Sequence, residues 1–128
     1  MAEIKGVGNL GSELQLKYIG ENKDKPVAEC RVYLSSARRD KEGEWVDRGE
    51  WFDVSVWGPC AEPAAKLLTK GDRIYLEGAL GTDRWEDPES GEPRSKLKID
   101  ANLMLPWLPY LDSLAYKPRK GVVSDENE

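Results

Sequence analysis

Hydrophobic and polar residues alternate in several segments of this chain, with the period of two that is typical of a half-buried β-strand. In residues 49–58, GEWFDVSVWG, the even positions hold the apolar residues Phe52, Val54 and Val56. The odd positions hold Trp51, Asp53, Ser55 and Trp57. The even face is typical of a core. The pattern therefore places two tryptophans on the face that is predicted to meet solvent.

Other segments complete the predicted strands. Residues 27–37 and 72–85 alternate in the same way. So do residues 95–105, where Leu97, Ile99, Ala101 and Leu103 are predicted to point inward. A first strand region covers residues 3–18 and contains GNLG at residues 8–11, where glycine indicates a bulge or sharp bend. The third strand covers residues 45–57 and follows a charged hairpin tip at residues 38–44.

One segment has the period of a helix instead. Residues 59–71, PCAEPAAKLLTKG, offer Pro63 as a first helical residue, an apolar stripe of Ala64, Leu67 and Leu68, and Gly71 as a terminator. The order of elements predicts an all-β fold, a five-stranded OB-fold barrel with one short helix between strands 3 and 4. We expect this domain to cover residues 1–105. Residues 106–128 then form a short C-terminal extension whose last dozen residues are predicted to be disordered.

The amino-acid composition narrows the classes of function that the chain can have. The chain of 128 residues contains no histidine and only two cysteines, Cys30 and Cys60, which we expect to be reduced thiols. It offers little from which a metal site or an acid–base catalyst is usually built, so we expect no cofactor and no enzyme. No apolar stretch is long enough to span a membrane, and the first residues do not resemble a secretory signal. We therefore expect a cytoplasmic protein with no membrane partner.

The net charge of −5 argues mildly against nucleic acid as a partner, because affinity for phosphates normally rests on lysine and arginine. Any nucleic-acid surface must then be local, or use something besides charge. The candidate phosphate contacts are Arg31, Arg38, Arg39, Arg48, Arg73, Arg84, Lys96 and Lys98.

The tryptophans offer a second source of affinity. Trp51 and Trp57 are six residues apart on one strand face, which is roughly 20 Å at the usual strand rise. Trp85 ends the fourth predicted strand and Trp45 begins the third. Aromatic rings interleaved with basic residues are typical of surfaces that bind single strands, since each stacked base contributes roughly 1–3 kcal/mol. The same spacing fits tryptophans in a second core or a subunit interface equally well.

An ordered set of motifs resembles the bacterial single-stranded-DNA-binding protein family, the homo-oligomeric OB-fold type. The motifs are GNLG at 8–11, VAECRVYLSSARRDKEGEW at 27–45, EW at 50–51, VSVWGPCAEPAAKLLTKGDRIYLEGAL at 54–80 and TDRW at 82–85. The resemblance covers about residues 3–105. It implies that Trp51, Trp57 and Trp85 stack on bases, and that the chain forms a homotetramer, with a dimer as the alternative.

The sequence departs from the family pattern at three places. Arg38 stands where the family commonly has an aromatic residue before RDK, so we expect altered binding there, with Trp45 as a compensating ring. Phe52 stands where the family usually has a histidine at a subunit contact. The chain ends in SDENE rather than in an acidic stretch closed by an apolar pair, so we do not expect it to recruit replication enzymes by that route. Our hypothesis is a short variant from a mobile element.

We therefore expect sequence-independent binding and protection of single-stranded DNA during replication, recombination or repair. The alternative is an OB-fold protein-interaction module with weak DNA affinity, such as a primosome or conjugation accessory factor, whose tryptophans anchor an interface. A small hydrolase is the weaker rival, because the chain has no nucleophile elbow and no phosphate loop.

Overall fold

The structure is a computed structural model that describes residues 2–119. Its strands are β1 (Ala2–Leu10), β2 (Gln15–Ile19), β3 (Lys25–Leu34), β4 (Ala37–Arg39), β5 (Trp45–Asp47), β6 (Glu50–Trp57), β7 (Arg73–Glu86) and β8 (Pro93–Pro106). Helix α1 covers Ala61–Leu67, after a 3₁₀ turn at Gly58–Cys60, and a second 3₁₀ turn covers Leu108–Tyr110. Most of the predicted disordered tail, residues 120–128, lies outside the described residues.

Five strands close into a ring. Going round it, β1 pairs with β7, β7 with β8, β8 with β6, β6 with β3, and β3 returns to the end of β1. All of these pairs are antiparallel except β6 and β8, which run parallel and are connected through α1 and β7. This is the OB-fold barrel with its single helix, as predicted. Strand β2 extends the ring beside β3, while β4 and β5 form a separate hairpin.

The first predicted strand is bent at its glycines, as the sequence indicated. It ends as β1 at Leu10 and resumes as β2 at Gln15. Gly8 faces the backbone of β3 so closely that a Cβ there would lie 2.2 Å from the carbonyl oxygen of Tyr33. Because only glycine permits this approach, β1 can pair with β7 along most of its length and still reach β3 at its end.

The core consists of the apolar faces of the barrel strands and one face of the helix. The largest side chains that are less than 2% exposed are Ile74, Leu76, Ile99, Val32, Val54 and Val56. Each such side chain contributes roughly 1.5–3 kcal/mol when it is removed from water. The inward positions Phe52, Val54 and Val56 are confirmed, but the strand predicted at 45–57 is two strands, β5 on the separate hairpin and β6 in the ring. Ala61 and Ala64 of α1 join the same core.

The alternation predicted for the fifth strand is wrong at both ends. The register between β7 and β8 shifts so that Asn102 has no partner, and Met104 rather than Leu103 is buried beyond that bulge. At the other end Leu97 is 50% exposed, because there β7 and β8 leave the barrel as a two-stranded arm. An extra residue in one strand moves every later side chain of that strand to the opposite face of the sheet.

The helix also differs from its prediction. It begins at Ala61, two residues before Pro63, and ends at Leu67, which is 72% exposed rather than part of an apolar stripe. Pro63 lies in the first turn, where a missing N–H costs no hydrogen bond. Gly71 follows the helix with φ of 96°, and its N–H donates to the carbonyl of Leu10 at 2.8 Å. It therefore connects the helix end to β1.

Candidate nucleic-acid interface

The residues of β3, β6 and β8 on the side away from the barrel interior form rows across the sheet, and two of them, Val27 and Ser55, are nevertheless buried. Register places Tyr33 beside Trp51, Arg31 beside Asp53 and Lys98, Glu29 beside Ser55 and Asp100, and Val27 beside Trp57. The arm adds Trp85 and Lys96 on the same side, since Trp85 lies opposite Arg94 and Lys96 opposite Asp83. We call this surface the tryptophan face and define it by Trp51, Trp57, Trp85, Arg31, Asp53, Lys96 and Lys98.

Trp51 is held at one end of the tryptophan face. Its side chain is 47% exposed, and its ring meets Tyr33 edge to face with the centroids 5.4 Å apart. The guanidinium carbon of Arg31 lies 5.2 Å from the Trp51 ring centroid, which is a cation–π contact. A Cβ at Gly11 would lie 2.2 Å from Cζ3 of Trp51. The bend between β1 and β2 therefore also packs against the ring of Trp51.

Trp85 lies on the arm and is 44% exposed. The ammonium nitrogen of Lys96 lies 5.6 Å from the Trp85 ring centroid. Trp85 and Lys96 therefore form the same kind of pair as Trp51 and Arg31, a half-exposed tryptophan with a cation beside its ring. An indole with one exposed face and a cation beside it offers a base a stacking surface and offers a phosphate a partner.

Trp57 and Trp45 are placed differently from these two. Trp57 is half-buried at the other end of β6, where its Nε1 donates a hydrogen bond to Oδ1 of Asp100 at 3.0 Å. That bond sets the orientation of the ring. Trp45 is 68% exposed on the separate β4–β5 hairpin, with the guanidinium carbon of Arg39 at 4.9 Å from its ring centroid.

Asp53 is at the centre of the charges on the tryptophan face. Its two carboxylate oxygens accept from Nε of Arg31 at 3.3 Å and from Nζ of Lys96 at 2.5 Å. The hydrogen bond to Asp53 raises the pKa of Lys96 further above its ordinary value. Lys98 lies 4.0 Å from Asp100. The basic residues of this face are thus already paired with carboxylates.

The charged centre of the tryptophan face lines a groove. This groove of about 400 Å³ runs beside Asp53 and Ser55, between Ser12, Glu13 and Gln15 on one side and Lys96 and Lys98 on the other. Ser55 lies on the predicted strand face, but it is only 2% exposed, so its predicted contact with solvent is wrong. The walls of the groove cover this short side chain, which alternation along one strand does not reveal.

The remaining candidate phosphate contacts lie elsewhere. Arg38 and Arg39 are on the β4–β5 hairpin and Arg48 is in the connection that follows it. Arg73 donates to Oδ1 of Asn9 at 2.8 Å and lies 5.9 Å from the Tyr110 ring centroid. Arg84 is next to Trp85 in sequence and therefore points to the opposite side of the arm. The structure does not bring Arg84 to the tryptophan face.

Sequence reasoning missed three contributors to this surface. Asp53 was placed on the correct strand face without a role, and Asp100 and Gly11 were not connected to any tryptophan. Strand parity could have paired Asp53 with Arg31 if the register between β3 and β6 had been known. The contact of Gly11 with Trp51 joins positions 40 residues apart, and no local signal predicts it.

The other reactive groups do not form a site in the described residues. Burial raises the pKa of the Cys30 thiol to about 12, with a smaller effect from the Asp53 charge, so this thiol stays protonated. Both cysteines are free, as expected. Among residues 2–119 no group of three or more histidine, cysteine or acidic side chains is placed to hold a metal ion. In the same residues no helix is long and apolar enough to cross a membrane.

The barrel and its surface together define a class of protein. Half-exposed tryptophans and cations on the outer face of an OB-fold barrel are the arrangement of its oligonucleotide-binding members. Residues 1–106 match the family described as "Single-strand binding protein family", and the chain belongs to that family. The resemblance inferred from the motifs is confirmed.

Two similar proteins support the assignment. The chain is 35% identical over 96 residues to "Single-stranded DNA-binding protein 1" of Synechocystis sp., which covers 75% of this chain and 74% of that protein. It is 36% identical over 96 residues to "Single-stranded DNA-binding protein" of Treponema pallidum, which covers 74% of this chain. The match spans only 51% of the Treponema protein.

Solved structures show the same fold. The small single-stranded DNA-binding protein of Streptomyces coelicolor superposes with a TM-score of 0.69 at 22% identity, over 84% of this chain and 95% of that one. The Plasmodium falciparum single-stranded DNA-binding protein in complex with single-stranded DNA gives a TM-score of 0.68 at 23% identity, over the same shares of the two chains.

Proposed function

We propose that this protein binds single-stranded DNA without sequence preference and protects it during replication, recombination or repair. The observation that carries the proposal is the pairing of half-exposed Trp51 and Trp85 with Arg31 and Lys96 on one face of the sheet. The names of the two relatives, both single-stranded DNA-binding proteins, support the same function.

Binding follows from the two kinds of group on this face. Bases stack on Trp51, Trp85 and Trp57, while Arg31, Lys96 and Lys98 meet the phosphates between them. Stacking needs no hydrogen-bond pattern on the base edge, so the face accepts any sequence. A duplex cannot use it, because its bases are already stacked and paired. Arg38, Arg39, Arg48, Arg73, Arg84 and Trp45 remain proposed contacts for the parts of a strand that extend beyond this face.

The protein acts by sequestration and is a binding protein rather than an enzyme. Bases held against indole rings cannot pair with another strand, and the bound backbone is less accessible to nucleases. The rival interaction module would use the same tryptophans as anchors for a protein. Membership of a single-strand binding family favours DNA.

Intrinsic tryptophan fluorescence tests the proposal. The protein is titrated with a poly-thymidine oligomer several tens of bases long, and in parallel with a duplex of equal length. We expect quenching that saturates with the single strand and not with the duplex, because stacking on a base quenches indole emission. If micromolar protein shows no quenching with either ligand, the tryptophans do not meet bases and the interaction module becomes the better explanation.

We also propose that the chain assembles as a homotetramer, with a dimer as the alternative, through β1 and the sheet edges. The support is the family resemblance together with the exposed outer face of β1, where Glu3 and Lys5 lie beside Ala79 and Glu77 of β7. Sedimentation equilibrium measures the mass directly. A monomer over the whole accessible concentration range would overturn the proposed assembly without affecting the proposed DNA binding.

Two further inferences remain proposals. The OB-fold domain ends near residue 105, since β8 ends at Pro106 and the segment after it contains only a 3₁₀ turn among the described residues. Within that segment Leu108 and Tyr110 are 65% and 72% exposed, so it packs only loosely beside α1. A cytoplasmic location is supported by the two free cysteines.

A further inference from the structure

The two cations that lie over tryptophan rings are held by the same carboxylate. Arg31 lies over Trp51 and Lys96 lies over Trp85, and both donate to Asp53 through different carboxylate oxygens. Asp53 lies on β6 between its register partners Arg31 of β3 and Lys98 of β8, and is itself part of the tryptophan face. One acidic side chain therefore connects the two aromatic sites of the face.

This arrangement places a cation against one face of each indole. A cation about 5 Å from a ring centroid occupies one face of the indole, and a base can stack there only after the cation moves. The cation that moves needs a new anionic partner to replace Asp53. A nucleotide within a strand supplies both groups at once, a base for the ring and a phosphate for the cation.

We propose that Asp53 is a positioning residue that holds Arg31 and Lys96 over the tryptophans until a strand exchanges its phosphates for the carboxylate. The inference rests on the proposed single-stranded DNA binding and adds a specificity device to it. Asp53 lowers the affinity for the strand, since its two ion pairs must be given up. It also disfavours polyanions that have no bases, because they would have to displace the carboxylate without the compensation of stacking.

The cation–π contact between Arg39 and Trp45 on the β4–β5 hairpin provides a comparison inside the same chain. Arg39 lies over Trp45 at 4.9 Å, but its guanidinium donates to the carbonyl of Gly43 rather than to a carboxylate among the described residues. A cation–π contact in this protein therefore does not require an acidic partner. The shared Asp53 is a particular feature of the tryptophan face.

The test is the Asp53→Asn variant, which keeps the size of the side chain and removes its charge. Exposed ion pairs contribute about 0.2–1 kcal/mol each, so losing two of them should tighten binding of poly-thymidine by roughly 2- to 30-fold at low salt. The slope of log affinity against log salt should become steeper by about 0.7, because one phosphate interaction no longer competes with an internal carboxylate. Heparin, a polyanion without bases, should gain at least as much affinity.

Asp112→Asn is the matched control. It removes the same charge from the exposed C-terminal segment, and its affinity should stay close to that of the original chain. Circular dichroism establishes that both variants are folded. Equal or weaker binding by Asp53→Asn, or an equal gain by Asp112→Asn, overturns the inference. If the original chain itself does not bind poly-thymidine, the proposed function fails first and the inference fails with it.

Discussion

At the scale of single residues, the exposed indoles are expected to carry most of the affinity. Replacing Trp51 or Trp85 with alanine removes one stacked base each, at a cost of about 1–3 kcal/mol, which weakens binding by roughly 5- to 150-fold. Fluorescence anisotropy with a labelled poly-thymidine oligomer measures this loss. Trp107→Ala is the control, since Trp107 lies in the groove beside α1 and not on the tryptophan face. Equal losses in all three variants would point to misfolding or to a different binding surface.

Gly11 gives a second prediction at this scale. A methyl group at Gly11 would overlap the six-membered ring of Trp51, which can respond only by turning away from its present position. We expect Gly11→Ala to weaken DNA binding by less than Trp51→Ala does, and to change the near-ultraviolet circular dichroism of the tryptophans. Gly6→Ala serves as the comparison, because its added Cβ would meet only Leu34 at an ordinary 3.8 Å. Unchanged affinity in Gly11→Ala would mean that the position of this ring does not matter.

At the scale of elements, one carboxylate helps to close the base of the β4–β5 hairpin, beside a backbone hydrogen bond from Arg48 to Ser36. Oδ1 of Asp47 accepts from the backbone N–H groups of Ser36 at 3.0 Å and Gly49 at 2.9 Å. These two bonds, from Ser36 first and Gly49 second, lower the pKa of Asp47. Trp45, Arg38 and Arg39 depend on these hydrogen bonds for their position relative to the tryptophan face.

The two hydrogen bonds of Asp47 should therefore depend on pH. A carboxyl group with a lowered pKa in the folded state stabilises the fold above its ordinary pKa of about 3.9, and this contribution is lost as the pH falls through the lowered value. We expect the Ser36 and Gly49 amide resonances to shift together with a midpoint below pH 3.9. In Asp47→Asn the same resonances should show no such step. A midpoint at or above the ordinary value would show that the two hydrogen bonds do not favour the charged form.

At the scale of the whole molecule, a chain with net charge −5 must bind a polyanion. Its described tryptophan face contains Arg31, Lys96 and Lys98, all of them paired with carboxylates. With about 0.7 counterions released per phosphate of a single strand, three contacts predict a shallow slope, no steeper than about −2 for log affinity against log salt, because each cation must first give up a carboxylate partner. Titrations between about 50 mM and about 200 mM salt measure it. A much steeper slope would show that the basic residues of the hairpin and of the barrel flank also bind phosphates.

The fold was predictable because its signals are local. Alternation along residues 27–37 and 45–57 identifies the buried side chains of β3 and β6, and the change of period at residues 59–71 identifies the single helix. The order of elements was then sufficient for the barrel. Prediction failed where one residue changes parity, as at the Asn102 bulge, and where a strand leaves the barrel, as at Leu97. Such changes depend on the partner strand rather than on the segment itself.

The candidate site was predictable only in part. The residue types and the strand face of Trp51, Trp57 and Trp85 follow from the sequence, since a side chain's direction in a strand is set by its immediate neighbours. The predicted phosphate contacts were a set of eight basic residues, and the sequence does not determine which of them lie on the same face as the tryptophans. Arg31 and Lys96 share one with the tryptophans, whereas Arg84 lies on the opposite side of the arm.

By itself, then, the sequence determined which residues are buried in most strands, where the chain turns, and which family it belongs to. These properties depend on short stretches of chain and on their order. The tertiary structure alone decided that Asp53 joins Arg31 to Lys96, that Gly11 supports Trp51 and that Asp100 orients Trp57. Each of these contacts joins residues that are distant along the chain, and strand register and barrel curvature bring them together.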